Sequence, residues 1–233
     1  MSRQNRPRKG LSPRQSSYRD PYTLFVIASE GTETEPAYFT ALQAHILKTP
    51  QLNRIVKIEV LSRRDKGDTH SDPKQIIELL DEFKENYVLK ADDEMWLLID
   101  RDHRQSATEK RKIADIQQLC KQKGYQFCIS TPCFELWLLL HLKSLNDYDV
   151  ATHLEFLENK KVNKNRTRIE KELSDLLVEL GSGYNKNKLD MAIFFPKIEK
   201  ALAHAFAAEL EKGWDYDRLC TQVHVLVKQL LKL

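Results

Sequence analysis

Thr23–Ser29 reads TLFVIAS, a near-continuous apolar run. A strand covered on both faces has no side to show to water, so it reads this way and does not alternate. Met95–Ile99 (MWLLI) repeats the pattern. Around these two, short apolar runs alternate with segments of 3.6-residue period, which predicts a parallel sheet wrapped by helices. Pro36 suits the first turn of a helix in which Tyr38, Leu42 and Ile46 share one face to about Leu47. Ile55–Leu61 (IVKIEVL) alternates and reads as the second strand. Ser71 or Asp72 can cap a helix with Pro73 at its first position and Ile76, Leu80, Phe83 and Tyr87 as its apolar stripe. Ser106 and Glu109 have the spacing of a capping box, opening a helix with Ile113, Ile116 and Cys120 inward and Gly124 at its end. Tyr125–Ser130 (YQFCIS) is the fourth strand, and Thr131-Pro132 leads into an apolar helix, Cys133–Leu142. Everything further reads as helical, with Gly181–Lys188 (GSGYNKNK) the least core-like break. The expected organisation is a basic flexible tail at 1–20, an α/β domain at 21–145 and a helical extension at 146–233.

The chain has 233 residues, 41% hydrophobic and 30% charged, with Gly at 7 and Pro at 8, which excludes collagen-like and wholly disordered classes. Its longest apolar stretch, Phe134–Leu140, is interrupted by Glu135 and stops at His141, far short of the roughly 20 residues a membrane-spanning helix needs. The start carries no apolar secretion signal, so a cytoplasmic location is expected, with no membrane partner. Cys120, Cys128, Cys133 and Cys220 lack paired zinc spacing and are expected as free, buried thiols. The net charge of +3 is unevenly placed. Arg3, Arg6, Arg8, Lys9, Arg14 and Arg19 against Asp20 give the first twenty residues +5, leaving 3 − 5 = −2 for the rest. A basic arm suits nucleic acid or an acidic partner; a merely solvated start is the plainer alternative.

Ligands of open parallel sheets bind beyond the carboxyl ends of the strands. There this sequence is acidic: Glu30-Gly31 follows the first strand and Asp100-Arg101-Asp102 the third. In an extended segment residues i and i+2 project to one side, so Asp100 and Asp102 can face one cation. If the first and third strands are neighbours, Glu30 joins them. Clustered carboxylates repel, and a hard divalent cation, Mg²⁺ or Mn²⁺, relieves the repulsion, with phosphate as the third party. The competing reading of Asp-x-Asp is a helix cap or a solvated turn. Arg63, Arg64 and Lys66 follow the second strand on the same side and can contact substrate phosphates; Lys186, beside Lys188 and Tyr184, forms a second basic loop. Both loops have solvated surface as their alternative. His103 stands next to Asp102, where an imidazole can transfer protons, with simple exposure in a loop as the alternative. Glu135 is the charged exception in an apolar helix, suited to packing and the helix dipole, with an accessory place at the site as the alternative. No Gly-rich phosphate loop with its Lys is present, so an ATPase activity would come from a partner.

The string Pro132-Cys133-Phe134-Glu135-Leu136-Trp137-Leu138-Leu139-Leu140-His141, with Ser29-Glu30-Gly31-Thr32-Glu33-Thr34-Glu35-Pro36, Tyr38-Phe39, Asp72-Pro73 and Leu98-Ile99-Asp100-Arg101-Asp102, resembles RloB-like proteins. The Glu after one strand and the Asp-x-Asp after a later one are similar to the Toprim fold. The resemblance covers Thr23 to His141 well and the helical remainder loosely. It implies a Mg²⁺- or Mn²⁺-dependent nuclease associated with bacterial defence islands, acting beside an ATPase partner. Glu30 would be general acid or base and metal ligand, Asp100 and Asp102 the metal pair, and Glu35 a second early carboxylate, unless it serves only its helix N-terminus. Where Toprim topoisomerases supply a nucleophilic Tyr, only Tyr184 is available in a polar loop, so hydrolysis by water is expected. The expected function is therefore phosphodiester hydrolysis of DNA or RNA, tRNA included, in anti-phage defence. A non-catalytic nucleic-acid-binding or regulatory module is the main alternative, a nucleotidyl transferase or primase-like enzyme the third, and a homo-oligomer is left open.

Overall fold

The computed structural model describes residues 22–49, 56–61, 73–102, 106–208, 210, 215 and 217–232. The tail at 1–20, the basic loop with Arg63, Arg64 and Lys66, and His103 lie outside the described residues. Among the described residues, five strands form one sheet: β1 (Thr23–Ser29), β2 (Val56–Leu61), β3 (Glu94–Asp100), β4 (Gln126–Thr131) and β5 (Cys220–Thr221), in the order β2-β1-β3-β4-β5. The first four run parallel. The fifth corrects the expectation of an all-helical remainder, because it pairs antiparallel with β4 through Ser130 opposite Thr221. Two residues are too few for a periodic signal. What places them is the hydroxyl pair Ser130–Thr221 at 3.0 Å and the Gln222 side-chain oxygen accepting the Ile129 amide at 3.2 Å. The edge of β4 is thereby covered from Ile129 to Thr131.

Helices α1 (Thr34–Lys48), α2 (Pro73–Asn86), α3 (Ala107–Lys123) and α4 (Glu135–Leu142) connect and follow the strands; α5 (Val150–Glu158), α6 (Arg168–Glu179), α7 (Ile198–Ala207) and α8 (Val223–Leu231) make up the extension. The period of two along each strand divides the core. Leu24, Val26, Ala28, Met95, Leu97, Ile99 and Ile129 face one side, where Ile76, Ile77 and Leu80 of α2 and Ile113, Ile116 and Cys120 of α3 cover them. Phe25, Ile27, Trp96, Leu98 and Cys128 face the other, together with α1, α4 and residues from the extension such as Leu173, Ala201 and Leu226. Helix α4 lies in the middle of that second layer and packs against both α6 and α7, so every residue from Glu135 to His141 is buried. That explains an apolar surface all round the helix.

The Ser106–Glu109 capping box is formed, and Gly124 ends α3 with φ 76°, the left-handed conformation that costs glycine least. All four cysteines are free and buried. Among the described residues no helix is long and apolar enough to cross a membrane.

Candidate functional site

The parallel register sets β1 beside β3, with Ser29 level with Leu98 and the Glu30 amide donating to the Leu98 carbonyl at 3.0 Å. Glu30 and Asp100 therefore leave the same edge of the sheet side by side. Beyond β3 the chain stops being extended. Arg101 turns inward, fully buried, its amide bonded to the Ser130 carbonyl at 2.8 Å and its guanidinium to the Leu157 carbonyl of α5 at 2.6 Å. Asp102 follows in the left-handed region at φ 47°, tied by its amide to the Pro132 carbonyl at 2.7 Å. The simple i, i+2 picture of Asp100 and Asp102 is thus corrected: a turn, not a continuing strand, carries Asp102 to the exposed rim while Asp100 stays half-buried.

These residues line a cleft of about 340 Å³ whose walls also include Gly31, Glu35, Cys133, Glu135, Asn159, Thr167, Glu170 and Lys186. Three helices begin here, and each carries a glutamate in its first turn: Glu35 in α1, Glu135 in α4 and Glu170 in α6. A helix N-terminus carries partial positive charge, which favours a carboxylate and equally favours a phosphate. A Cβ at Gly31, where β1 enters the cleft, would overlap the Glu35 carboxylate and make it shift.

The carboxylates feel one another. Burial, then Glu35, Asp102, Glu135 and Glu30, push Asp100 well above the ordinary range of an aspartate. Burial and Glu135 push Glu35 up to about 7, against the opposing influence of its own backbone amide and of Lys186. Donors of this kind are all oxygen, the set that suits Mg²⁺ or Mn²⁺, and the repulsion that raises both groups is what a dication would relieve. Glu30, Asp100, Asp102 and Glu35 line the cleft together and are the residues that could hold such an ion. Among the described residues, no three Asp, Glu, His or Cys side chains are already drawn together as a metal-holding group.

The far wall comes from the extension. Lys186 places its ammonium 3.1 Å from Glu135 and 3.5 Å from Glu170. Tyr184, expected in a polar loop, is instead buried, and its hydroxyl donates toward the same two carboxylates at 3.4 and 3.5 Å. Glu135 accordingly has a place in the cleft wall as well as in the packing of α4. The Cys133 thiol, pushed well up by burial and by Glu135, accepts the Asn159 amide at 3.4 Å. Asn159, Thr167 and Glu170 escaped the sequence reading. Thr167-x-x-Glu170 does have capping-box spacing, and the Thr167 amide donates to Glu170 at 2.8 Å, but that pattern marks a helix start and not its place opposite β1. His141, by contrast, is sealed in the core, its pKa pushed down to about 3 by burial.

No curated protein and no solved structure matches the chain. The family model described as RloB-like protein matches residues 25–230, a span that takes in the sheet, the extension and every residue named around the cleft. The chain belongs to the RloB-like protein family.

Proposed function

We propose that this chain is a metal-dependent nuclease with a Toprim-type sheet, hydrolysing phosphodiester bonds of DNA or RNA as the effector of a bacterial anti-phage system, beside an ATPase partner. The observation that carries the reading is the meeting of Glu30, Asp100, Asp102 and Glu35 in one cleft at the carboxyl edge of a parallel sheet. A divalent cation held there would supply an activated water and stabilise charge on the phosphoryl oxygens. The chain's own residues do the rest. Asp100 and Asp102 hold the cation's side of the cleft, and Glu30 accepts or returns the proton of the attacking water. The N-termini of α1, α4 and α6 and the Lys186 ammonium offset the phosphate's negative charge at the opposite wall. Arg63, Arg64 and Lys66 extend the phosphate contacts and His103 assists proton transfer in the same proposal.

The test is to incubate the purified chain, with and without its ATPase partner, with DNA and with total tRNA, in Mg²⁺, in Mn²⁺ and in chelator. Cleavage that needs the metal supports the proposal. No metal-dependent cut in any combination sinks it and leaves the non-catalytic module. Gly31→Ala gives a second check, because the added methyl must displace the Glu35 carboxylate from a buried position. A misplacement on the scale of 1 Å at a reacting centre costs about a hundredfold. Cleavage should therefore fall by roughly tenfold to a hundredfold while circular-dichroism melts shift little. Parental rates would mean that the position of Glu35 is irrelevant to the chemistry.

A further inference from the structure

Cleavage at an acidic cleft can use one divalent cation or two, and a pair of carboxylates that already holds an ammonium between them leaves no place for a dication. At the extension's end, one oxygen of Glu135 accepts from the Thr34 hydroxyl at 3.4 Å, from the Tyr184 hydroxyl at 3.4 Å and from the Lys186 ammonium at 3.1 Å. One oxygen of Glu170 receives Tyr184 at 3.5 Å and Lys186 at 3.5 Å, and its other oxygen is held by the Thr167 amide at 2.8 Å. A dication entering between these two carboxylates would have to displace an ammonium already there, and at such spacings two positive charges repel strongly in a partly desolvated cleft.

The ammonium is also held in place. Arg166 donates to the Tyr184 carbonyl at 3.1 Å and to the Ser174 hydroxyl at 2.7 Å, which pins the segment carrying Lys186 against α6. The Lys186 side chain keeps 48% of its surface exposed, so one side faces Glu135 and Glu170 and the other remains open to a ligand.

We propose that Lys186 is a tethered cation that fills the Glu135–Glu170 end of the cleft, so that the site takes one divalent cation per chain, at the Glu30–Asp100–Asp102 end, and not two. This rests on the metal-dependent reading above and adds the number of ions to it. Lys186 then stands in for the second ion: its compact point charge, fixed by two glutamates, faces a phosphoryl oxygen and cannot dissociate.

The experiment is a titration of the metal-free full-length chain with Mn²⁺, reading free ion by electron paramagnetic resonance. The parent should bind one Mn²⁺ and Asp100→Asn none. Lys186→Met should gain a second Mn²⁺, and the Lys186→Met, Glu135→Gln double variant should return to one. Glu135→Gln alone, which keeps Lys186, should still bind one ion with affinity changed by less than about tenfold, whereas loss of a true ligand or its support costs about tenfold or more. Two ions on the parent, one ion on folded Lys186→Met, or a loss of about tenfold or more in Glu135→Gln would each overturn the tethered-cation role. No Mn²⁺ on the parent would instead overturn the metal-dependent reading itself and this inference with it. Should Lys186→Met fail to fold, the parent stoichiometry and Glu135→Gln decide the matter.

Discussion

Asp100→Asn is expected to cut metal-dependent cleavage by about a hundredfold to a thousandfold, the scale of removing a principal electrostatic group from a reaction centre, while leaving the fold intact. The amide keeps the shape of the carboxyl and loses its charge. Asp100 is already held well above the ordinary aspartate range, first by burial and then by Glu35, Asp102, Glu135 and Glu30. Folding therefore works against that group at neutral pH. Removing its charge should raise the melting temperature of the metal-free protein, not lower it.

The pH dependence follows in sign. A carboxyl whose folded pKa lies above its unfolded value binds more protons in the folded state, so stability falls as pH rises between the two. For Glu35 that interval runs from the ordinary 4.5 to about 7, and for Asp100 it begins at 3.8 and extends upward. Melts in chelator should accordingly show the parent most stable at the acidic end of this range and weaker by pH 8. The advantage of Asp100→Asn should be absent near pH 4 and grow toward pH 8. Glu30→Gln is the companion variant, expected to keep part of the metal binding and lose cleavage, since its proposed work is proton transfer. If Asp100→Asn cuts nucleic acid at the parental rate, Asp100 has no part in the chemistry.

The strands were legible because each is covered on both faces. TLFVIAS is β1 without a residue's difference, and MWLLI is β3 less its two acidic ends, Glu94 and Asp100. Local chemistry settled α3 as well, through Ser106, Glu109 and Gly124. Neighbouring β1 and β3 brought Glu30 and Asp100 together, as a parallel sheet with acidic strand ends implies. The residues that closed the cleft from the other side were not legible in this way. Glu135 sits among Leu, Trp and Phe and reads as a packing anomaly, and Tyr184 and Lys186 sit among Gly, Ser and Asn and read as loop. Only the packing of α4 against α6 turns the first toward the second, and sequence spacing carries no record of that approach. Strand β5 was missed for a similar reason, since its partner Ser130 is 91 positions away. Asp102 was placed by an extended-chain rule that ends where Arg101 turns inward to reach Leu157.

Trp137→Ala provides the opposite contrast, a large loss of stability from a residue that touches no part of the proposed chemistry. Trp137 is fully buried in α4, edge-on to His141 with ring centroids 4.8 Å apart, in the core layer shared by the sheet and the extension. Truncating it removes the indole's transfer free energy and leaves a cavity that α4, held between the sheet, α6 and α7, has little freedom to fill. Changes of this type cost about 3–5 kcal/mol, against a total stability of about 5–15 kcal/mol for a natural domain. For a chain of this size that corresponds to a fall of roughly 6–20 °C in melting temperature. The same helix carries Glu135 at its first position, so the cleft should loosen as the core does, and activity should fall in step with the folded fraction. Asp100→Asn should separate the two quantities; Trp137→Ala should not. A Trp137→Ala protein that melts like the parent would mean that α4 is not the element through which the extension is fixed to the sheet.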